Sequence, residues 1–292
     1  MKRLFVLLGP TGVGKTALSV QLARQLGCPI ISADSRQIYK ELPIGTAAPA
    51  NDVLSQVQHY FVASRSIHDY YSASLYEEEA IALINKLFET HDNLLLCGGS
   101  MMYIDAVCKG IDEMPTISQE IRESLWNQYR KEGLAPILEE LHRLDSIYYD
   151  VVDRMNYRRV IHAVEICRMS GVPYSTLRTH SLKKRLFNIH KFCLMRDRPE
   201  LFSLINCRVD KMIQEGFIEE AIQLYPWRHL NALNTVGYKE LFQYFDGVYS
   251  LDEAVEKIKR NTRIYARKQI TWFKRDLEVK WFHPDDNLLL HL

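Results

Sequence analysis

Residues 4–16 read LFVLLGPTGVGKT, and the stretch that follows, TALSVQLARQLG, ends at Gly27. A continuous apolar run, LFVLL, is the pattern of a parallel strand buried on both faces. Leu18, Leu22 and Leu26 recur at helical spacing, and Gly27 is a residue at which such a helix stops. Between strand and helix stand Gly9, four residues, then Gly14-Lys15-Thr16, a complete phosphate-binding loop. Glycines are needed there because backbone N–H groups must approach phosphate oxygens closely, and a side chain would block them. The candidate phosphate ligands are therefore Gly9, Pro10, Thr11, Gly12, Val13, Gly14, Lys15 and Thr16. Lys15 would reach the terminal phosphates, Thr16 would offer its hydroxyl to Mg2+, and the helix would present its positive end to the anion.

Outward from the loop the same alternation continues. CPIISADS is a second strand candidate, the stretch SLYEEEAIALINKLFETHD is helical, and NLLLCGGS is a third strand ending in two glycines. Strand, helix, strand, helix, strand within about 100 residues predicts a doubly wound, P-loop NTPase-like α/β core with a parallel sheet. After Gly110 the strand signal fades. Residues 118–171 are dominated by helical pattern, and IHKFCLM within 188–196 is a further strand candidate. A long helix is expected over residues 250–274. The domain organisation read from this is a core of residues 1–112 and 186–292 with a mostly helical insertion over 113–185.

Bulk properties narrow the class. Of 292 residues 47% are hydrophobic and 25% charged, which suits a globular chain able to bury a core. Lys plus Arg number 37 against 36 for Asp plus Glu, so net charge alone does not advertise a nucleic-acid partner, though local patches can still serve one. The six cysteines form no CxxC pair and no zinc-spaced cluster, as expected for reduced core residues in a cytoplasmic protein. The apolar run at the N-terminus flows directly into the loop and reads as a strand, not as a targeting segment. No run reaches the length needed to span a bilayer.

A nucleotide hydrolase places an acidic residue at the end of a second apolar strand to hold its metal. NLLLCGGS carries none, and no guanine-reading NKxD motif occurs. The better acid is Asp34, at the end of CPIISAD. Three readings stay open for it: a displaced Mg2+ ligand, a general base beside the phosphates, or a helix cap before SRQIYK.

Several segments taken together are more specific. GPTGVGKT, ADSRQIYKELPIGTAAP, GGSMMYIDAVCKGID, NYRRVIHAVEICRMSGVPYS, INCRVDKMIQEGF, VGYKEL and TRIYARKQITWF occur in the order found in bacterial tRNA dimethylallyltransferases, also called tRNA isopentenyltransferases. The chain resembles that family over nearly its full length. The resemblance implies transfer of a dimethylallyl group from dimethylallyl diphosphate to the exocyclic amine of the adenosine beside the tRNA anticodon. It implies that the loop holds the donor's diphosphate with Mg2+, so that Lys15 and Thr16 act on the leaving group. Asp34 then matches the general base for the amine. Thr11 and Ser100 match positions that line the donor or touch the tRNA, and Arg208 matches an arginine that reaches the diphosphate. For tRNA the resemblance points to Asp34, Ser35, Arg36, Gln37, Ser100 and Arg122, and to Arg158, Arg159, Val160, Ile161 and His162. The chain departs from the family pattern at Leu204, where many relatives carry arginine, at Ser100, more often threonine, and at His162, usually arginine. Arg267-Lys268 also reverses the commoner order.

On a helix over residues 251–274, Val255, Ile258, Tyr265 and Trp272 share one stripe, while Arg260, Arg263, Arg267 and Lys274 lie nearly opposite. Such a face suits phosphate contacts, as does NYRR, and suits a solvated surface equally. The chief rival reading is a small-molecule kinase that binds ATP in the same loop and uses the insertion as a lid. A non-catalytic RNA-binding module is the third. A monomer is expected.

Overall fold

The computed structural model describes residues 2–179 and 181–286. The strands are β1 (Arg3–Leu8), β2 (Ile30–Ala33), β3 (His59–Tyr60), β4 (Asn93–Gly98), β5 (Asn188–Leu194) and β6 (Lys280–Phe282). They form one parallel sheet in the order β3-β2-β4-β1-β5-β6. Leu4 to Leu8 are buried to within 1% of full burial, which is why the first strand is apolar without alternation. Strand β1 lies between β4 and β5, so strand order reverses beside it. In open α/β sheets the crevice at such a reversal, outside the carboxyl ends of the strands, is where ligands bind.

Helices before the insertion are α1 (Lys15–Leu26), α2 (Asn51–Leu54), α3 (Ala73–Leu87) and α4 (Met101–Cys108). Helix α1 begins at Gly14, held at φ 105°, and stops at Gly27, at φ 60°, conformations that favour glycine at both ends. The insertion contains α5 (Gln119–Glu132), α6 (Ala135–Leu144), α7 (Ser146–Val151), α8 (Tyr157–Ser170) and α9 (Tyr174–Leu177). After it come α10 (Arg198–Gln214), α11 (Phe217–Leu224), α12 (Tyr238–Phe245) and α13 (Leu251–Phe273). Helix α13 starts with a capping box, Ser250 accepting from the Glu253 amide and Glu253 from the Ser250 amide.

The chain divides into two compact units, Met1–Cys108 with Lys184–Leu292, and Lys109–Lys183. The first holds two cores. One lines the sheet, and the other gathers Ile38, Leu42, Val209, Phe217, Leu233, Tyr238 and Ile258 around α10 to α13. The second unit packs Leu125, Ile137, Leu141, Val160, Ile161 and Val164 together. Its entry and exit are joined at a neck, where the Lys183 amide donates to the Lys109 carbonyl at 2.8 Å. Among the described residues no helix is long and apolar enough to cross a membrane.

Two edge strands escaped the sequence reading. Strands β3 and β6 have two and three residues, too short to show a period, and exist because β2 and β5 offer them a partner. The basic face expected on α13 is also narrower. Arg263 bonds Asn206 Oδ1 at 2.6 Å and lies over the Phe202 ring, so it serves packing against α10, leaving Arg260, Arg267 and Lys274 exposed.

Strands β2 and β4 meet tightly where Ala33 pairs with Gly98. A Cβ on Gly98 would stand 2.2 Å from the Ala33 carbonyl oxygen, a backbone atom that cannot rotate away. Gly98→Ala is expected to destabilise the fold by about 2 kcal/mol, seen as a fall of roughly 4–8 °C in thermal midpoint.

Candidate active site

The ends of β1, β2 and β4 deliver three loops to one place. Residues 9–16 leave β1, 34–37 leave β2, and 99–100 leave β4. Together with α10 and α13 they enclose a cleft of about 640 Å³. Thr11, Gly12, Gly14, Lys15, Thr16, Asp34, Ser35, Arg36, Gln37, Ser100 and Arg208, all singled out from sequence, line it. Gly9, Pro10 and Val13 do not. Val13 is fully buried, and its carbonyl accepts from Arg196 Nε at 3.2 Å. Gly12, at φ 82°, lies against Ile205 of α10, whose Cγ1 would be 2.9 Å from an added Cβ.

Lys15 Nζ donates to the carbonyls of Gly9 (2.8 Å) and Pro10 (2.9 Å), which folds the side chain back across its own loop. Burial pulls its pKa below the ordinary lysine range, opposed by the nearby Cys97 and Asp34 and reinforced by the Arg208 charge. Arg208 donates from Nη1 to Thr11 Oγ1 (3.3 Å) and from Nη2 to the Thr46 carbonyl (2.8 Å). Burial likewise depresses its pKa, with Asp34 pulling the other way. Two half-buried cations beside a glycine-rich helix N-terminus make a site that gains by taking in an anion.

Asp34 does cap. Its Oδ1 accepts from the amides of Arg36 (2.9 Å) and Gln37 (3.2 Å), which fixes the turn after β2. The carboxylate is thereby held in the cleft, so closing this turn and a chemical role are compatible. Ser100 completes this corner. Its Oγ accepts from the Ser35 amide at 2.7 Å and donates to Ser35 Oγ at 3.1 Å. Arg36 Nη1 donates to the carbonyls of Asn231 and Ala232, both at 3.2 Å, and Gln37 Nε2 to those of Thr46 (3.2 Å) and Ala47 (3.1 Å).

The remaining candidates belong to the second unit. Arg158, Arg159 and His162 are exposed on α8. Val160 and Ile161 turn inward, 0% and 1% exposed, so their side chains form core and are not available for contact. Arg122 Nε lies 3.6 Å from the buried Glu165, and His162 Nδ1 lies 3.5 Å from it. At the position of Leu204, 39% exposed on α10, no second arginine joins Arg208.

Sequence reading missed Gln269. It is 2% exposed, accepts from the Thr11 amide through Oε1 (2.9 Å) and donates to the Gly99 carbonyl through Nε2 (2.7 Å). One side chain of α13 thus ties the phosphate loop to the end of β4. The signal was present: a glutamine at helical spacing between Ala266 and Phe273, on the buried face. Glu220 and Tyr238, which hold the cleft wall at Gly45, were also missed.

A family profile described as IPP transferase matches residues 37–276. The chain belongs to the IPP transferase family. Among relatives of this IPP transferase, tRNA dimethylallyltransferase 2 of Parabacteroides distasonis is 61% identical over 286 residues, covering 98% of this chain and 96% of that one. The protein of the same name from Azobacteroides pseudotrichonymphae is 58% identical, covering 98% and 93%. Among solved structures, the tRNA isopentenylpyrophosphate transferase of Bacillus halodurans superposes with a TM-score of 0.70 at 32% identity, over 97% of this chain and 90% of that one. A eukaryotic dimethylallyltransferase acting on tRNA shares the fold, with a TM-score of 0.80 at 23% identity over 99% of this chain and 76% of that one.

Lys15→Met keeps the length of the side chain and removes its charge. Affinity for inorganic pyrophosphate, measured by calorimetry, is expected to fall about tenfold or more; equal binding by the variant would separate Lys15 from the anion site.

Proposed function

We propose that this chain transfers the dimethylallyl group of dimethylallyl diphosphate to the exocyclic amine of the adenosine beside the tRNA anticodon. The protein is then a tRNA dimethylallyltransferase, an enzyme of tRNA modification acting in the cytoplasm. The observation that carries the reading is one cleft in which a phosphate loop, Arg208 and a fixed carboxylate converge, in a chain alike over nearly its whole length to tRNA dimethylallyltransferases.

The chemistry follows from the charges. As the amine nitrogen bonds to the first carbon of the prenyl group, the carbon–oxygen bond breaks and its electron pair leaves with the diphosphate. Lys15, Arg208 and the N-terminus of α1 are placed to stabilise that developing charge. An aromatic amine is a weak nucleophile. Asp34, held by its two backbone amides, orients it and accepts the proton it loses. No water needs activating, so the missing strand-end acid is no defect. The adenosine must be splayed from its stack to reach this depth.

The residues present fit Mg2+. Thr16 is exposed in the first turn of α1 and lines the same cleft as Asp34, giving oxygen donors of the kind this cation prefers. The described residues hold no cluster of three or more His, Cys, Asp or Glu that could form an all-protein cage. Diphosphate oxygens and water would complete the shell, the common arrangement for Mg2+, and bound there it would neutralise charge on the leaving group. Arg158, Arg159 and His162 are the insertion's exposed candidates for tRNA phosphates.

The direct test incubates the protein with unmodified tRNA and labelled dimethylallyl diphosphate, digests the RNA and looks for prenylated adenosine. ATP in place of the donor tests the kinase reading. Asp34→Asn is expected to cut turnover by roughly 10²-fold while pyrophosphate affinity changes little. Affinity for tRNA is expected to fall steeply as salt rises, and a flat response would argue against phosphate-dominated docking.

A further inference from the structure

Arg208 is a half-buried cation that donates to two uncharged acceptors, the Thr11 hydroxyl and the Thr46 carbonyl. Its direction therefore depends on where that carbonyl stands. Thr46 lies in residues 43–47, a loop that forms one wall of the cleft and has no regular structure of its own beyond turns. Something must hold it. The holder lies outside the cleft. Glu220 of α11 is 9% exposed and receives the Ile44 amide on Oε2 and the Gly45 amide on Oε1, both at 2.8 Å. The buried Tyr238 hydroxyl donates to the same Oε1 at 2.6 Å. Two consecutive amides clamped by one carboxylate leave the following residue, Thr46, little freedom to move. Gly45 itself is wedged: an added Cβ would stand 2.2 Å from the Phe217 ring and 2.5 Å from the Tyr238 hydroxyl.

We propose that Glu220 is a positioning residue, which aims the Arg208 guanidinium at the phosphate loop by fixing the loop of Ile44 to Thr46. The inference rests on the reading of the cleft as the donor's diphosphate site. The same carbonyl also accepts from Gln37, whose amide bonds Asp34, so the clamp reaches both charged partners of the reaction. Its stronger line runs to Arg208, through the shorter of the two bonds to Thr46. A burial role alone would be met by an apolar residue of the same size. A carboxylate taken out of water is costly unless its hydrogen bonds are made, and here two of the three come from the loop whose carbonyl takes the shorter Arg208 bond.

The test is a double-mutant cycle over Glu220→Gln and Arg208→Ala, read by calorimetry with inorganic pyrophosphate and by initial rates with dimethylallyl diphosphate and tRNA. In Glu220→Gln the new amide nitrogen confronts a backbone N–H. The dissociation constant for pyrophosphate and KM for the donor are expected to rise about tenfold, with KM for tRNA within about twofold of wild type. In the Arg208→Ala background the same change is expected to have no further effect. An equal loss in both backgrounds would mean that Glu220 only supports the fold and would overturn the proposal. So would unchanged pyrophosphate binding in a folded Glu220→Gln protein. Should that variant not fold, Tyr238→Phe removes one of the three donors and leaves both amides clamped. It is expected to weaken pyrophosphate binding about threefold, again only where Arg208 is present; a loss that persists without Arg208 overturns the proposal. Absence of pyrophosphate binding in the wild type is a separate result, and it would overturn the reading of the cleft as well.

Discussion

One amide side chain joins the beginning of the chain to its end. Gln269 bonds the Thr11 N–H on one side and the Gly99 carbonyl on the other, from within a helix formed more than 250 residues after the loop it touches. The phosphate loop is built of glycines because phosphate must come close, and glycines alone do not hold a shape. The restraint comes from neighbours: Gln269 on the amide of Thr11, Arg208 on its hydroxyl, Ile205 against Gly12. All three lie after the insertion. The loop is therefore restrained in this way only when α10 and α13 have docked beside it, and the Trp272 indole, bonding Asp105 of α4 at 2.8 Å, helps to seat the latter.

Much of this was legible from residues alone, for a definite reason. Periodicity and turn chemistry are local, so β1, α1, β2, α3, β4 and α13 could be read from patterns a few residues long. The loop and Asp34 were likewise visible, because strand ends in a parallel sheet all point to one crevice, whereas Ser100 and Arg208 came only through the family resemblance. What was not visible depends on pairing across the chain. Two edge strands owe their existence to a neighbour. Arg263 looked like part of a basic face and instead packs on α10, since helical spacing tells which residues share a side but not what covers that side. In α8 the consecutive stretch from Arg158 to His162 divides between surface and core, as any helix must divide it.

Asp34 shows why a structural role and a chemical one need not compete, for it closes a turn where a helix start was one of the readings. A carboxylate that must meet a substrate in one orientation gains from having one oxygen already committed to the backbone. The same economy recurs at Ser100, whose hydroxyl satisfies the turn after β2 while forming the cleft's corner. Residues that line the site are also the residues that hold it together. A substitution here therefore changes shape and chemistry at once, and paired measurements of binding and turnover are needed to separate the two.

The neck between Lys109 and Lys183 has a consequence of its own. Because the first and last residues of the second unit are hydrogen-bonded to each other, the 75-residue unit closes on itself where it begins. What lies beyond the neck is a cassette with a core of its own, closed at its base by its own hydrogen bond.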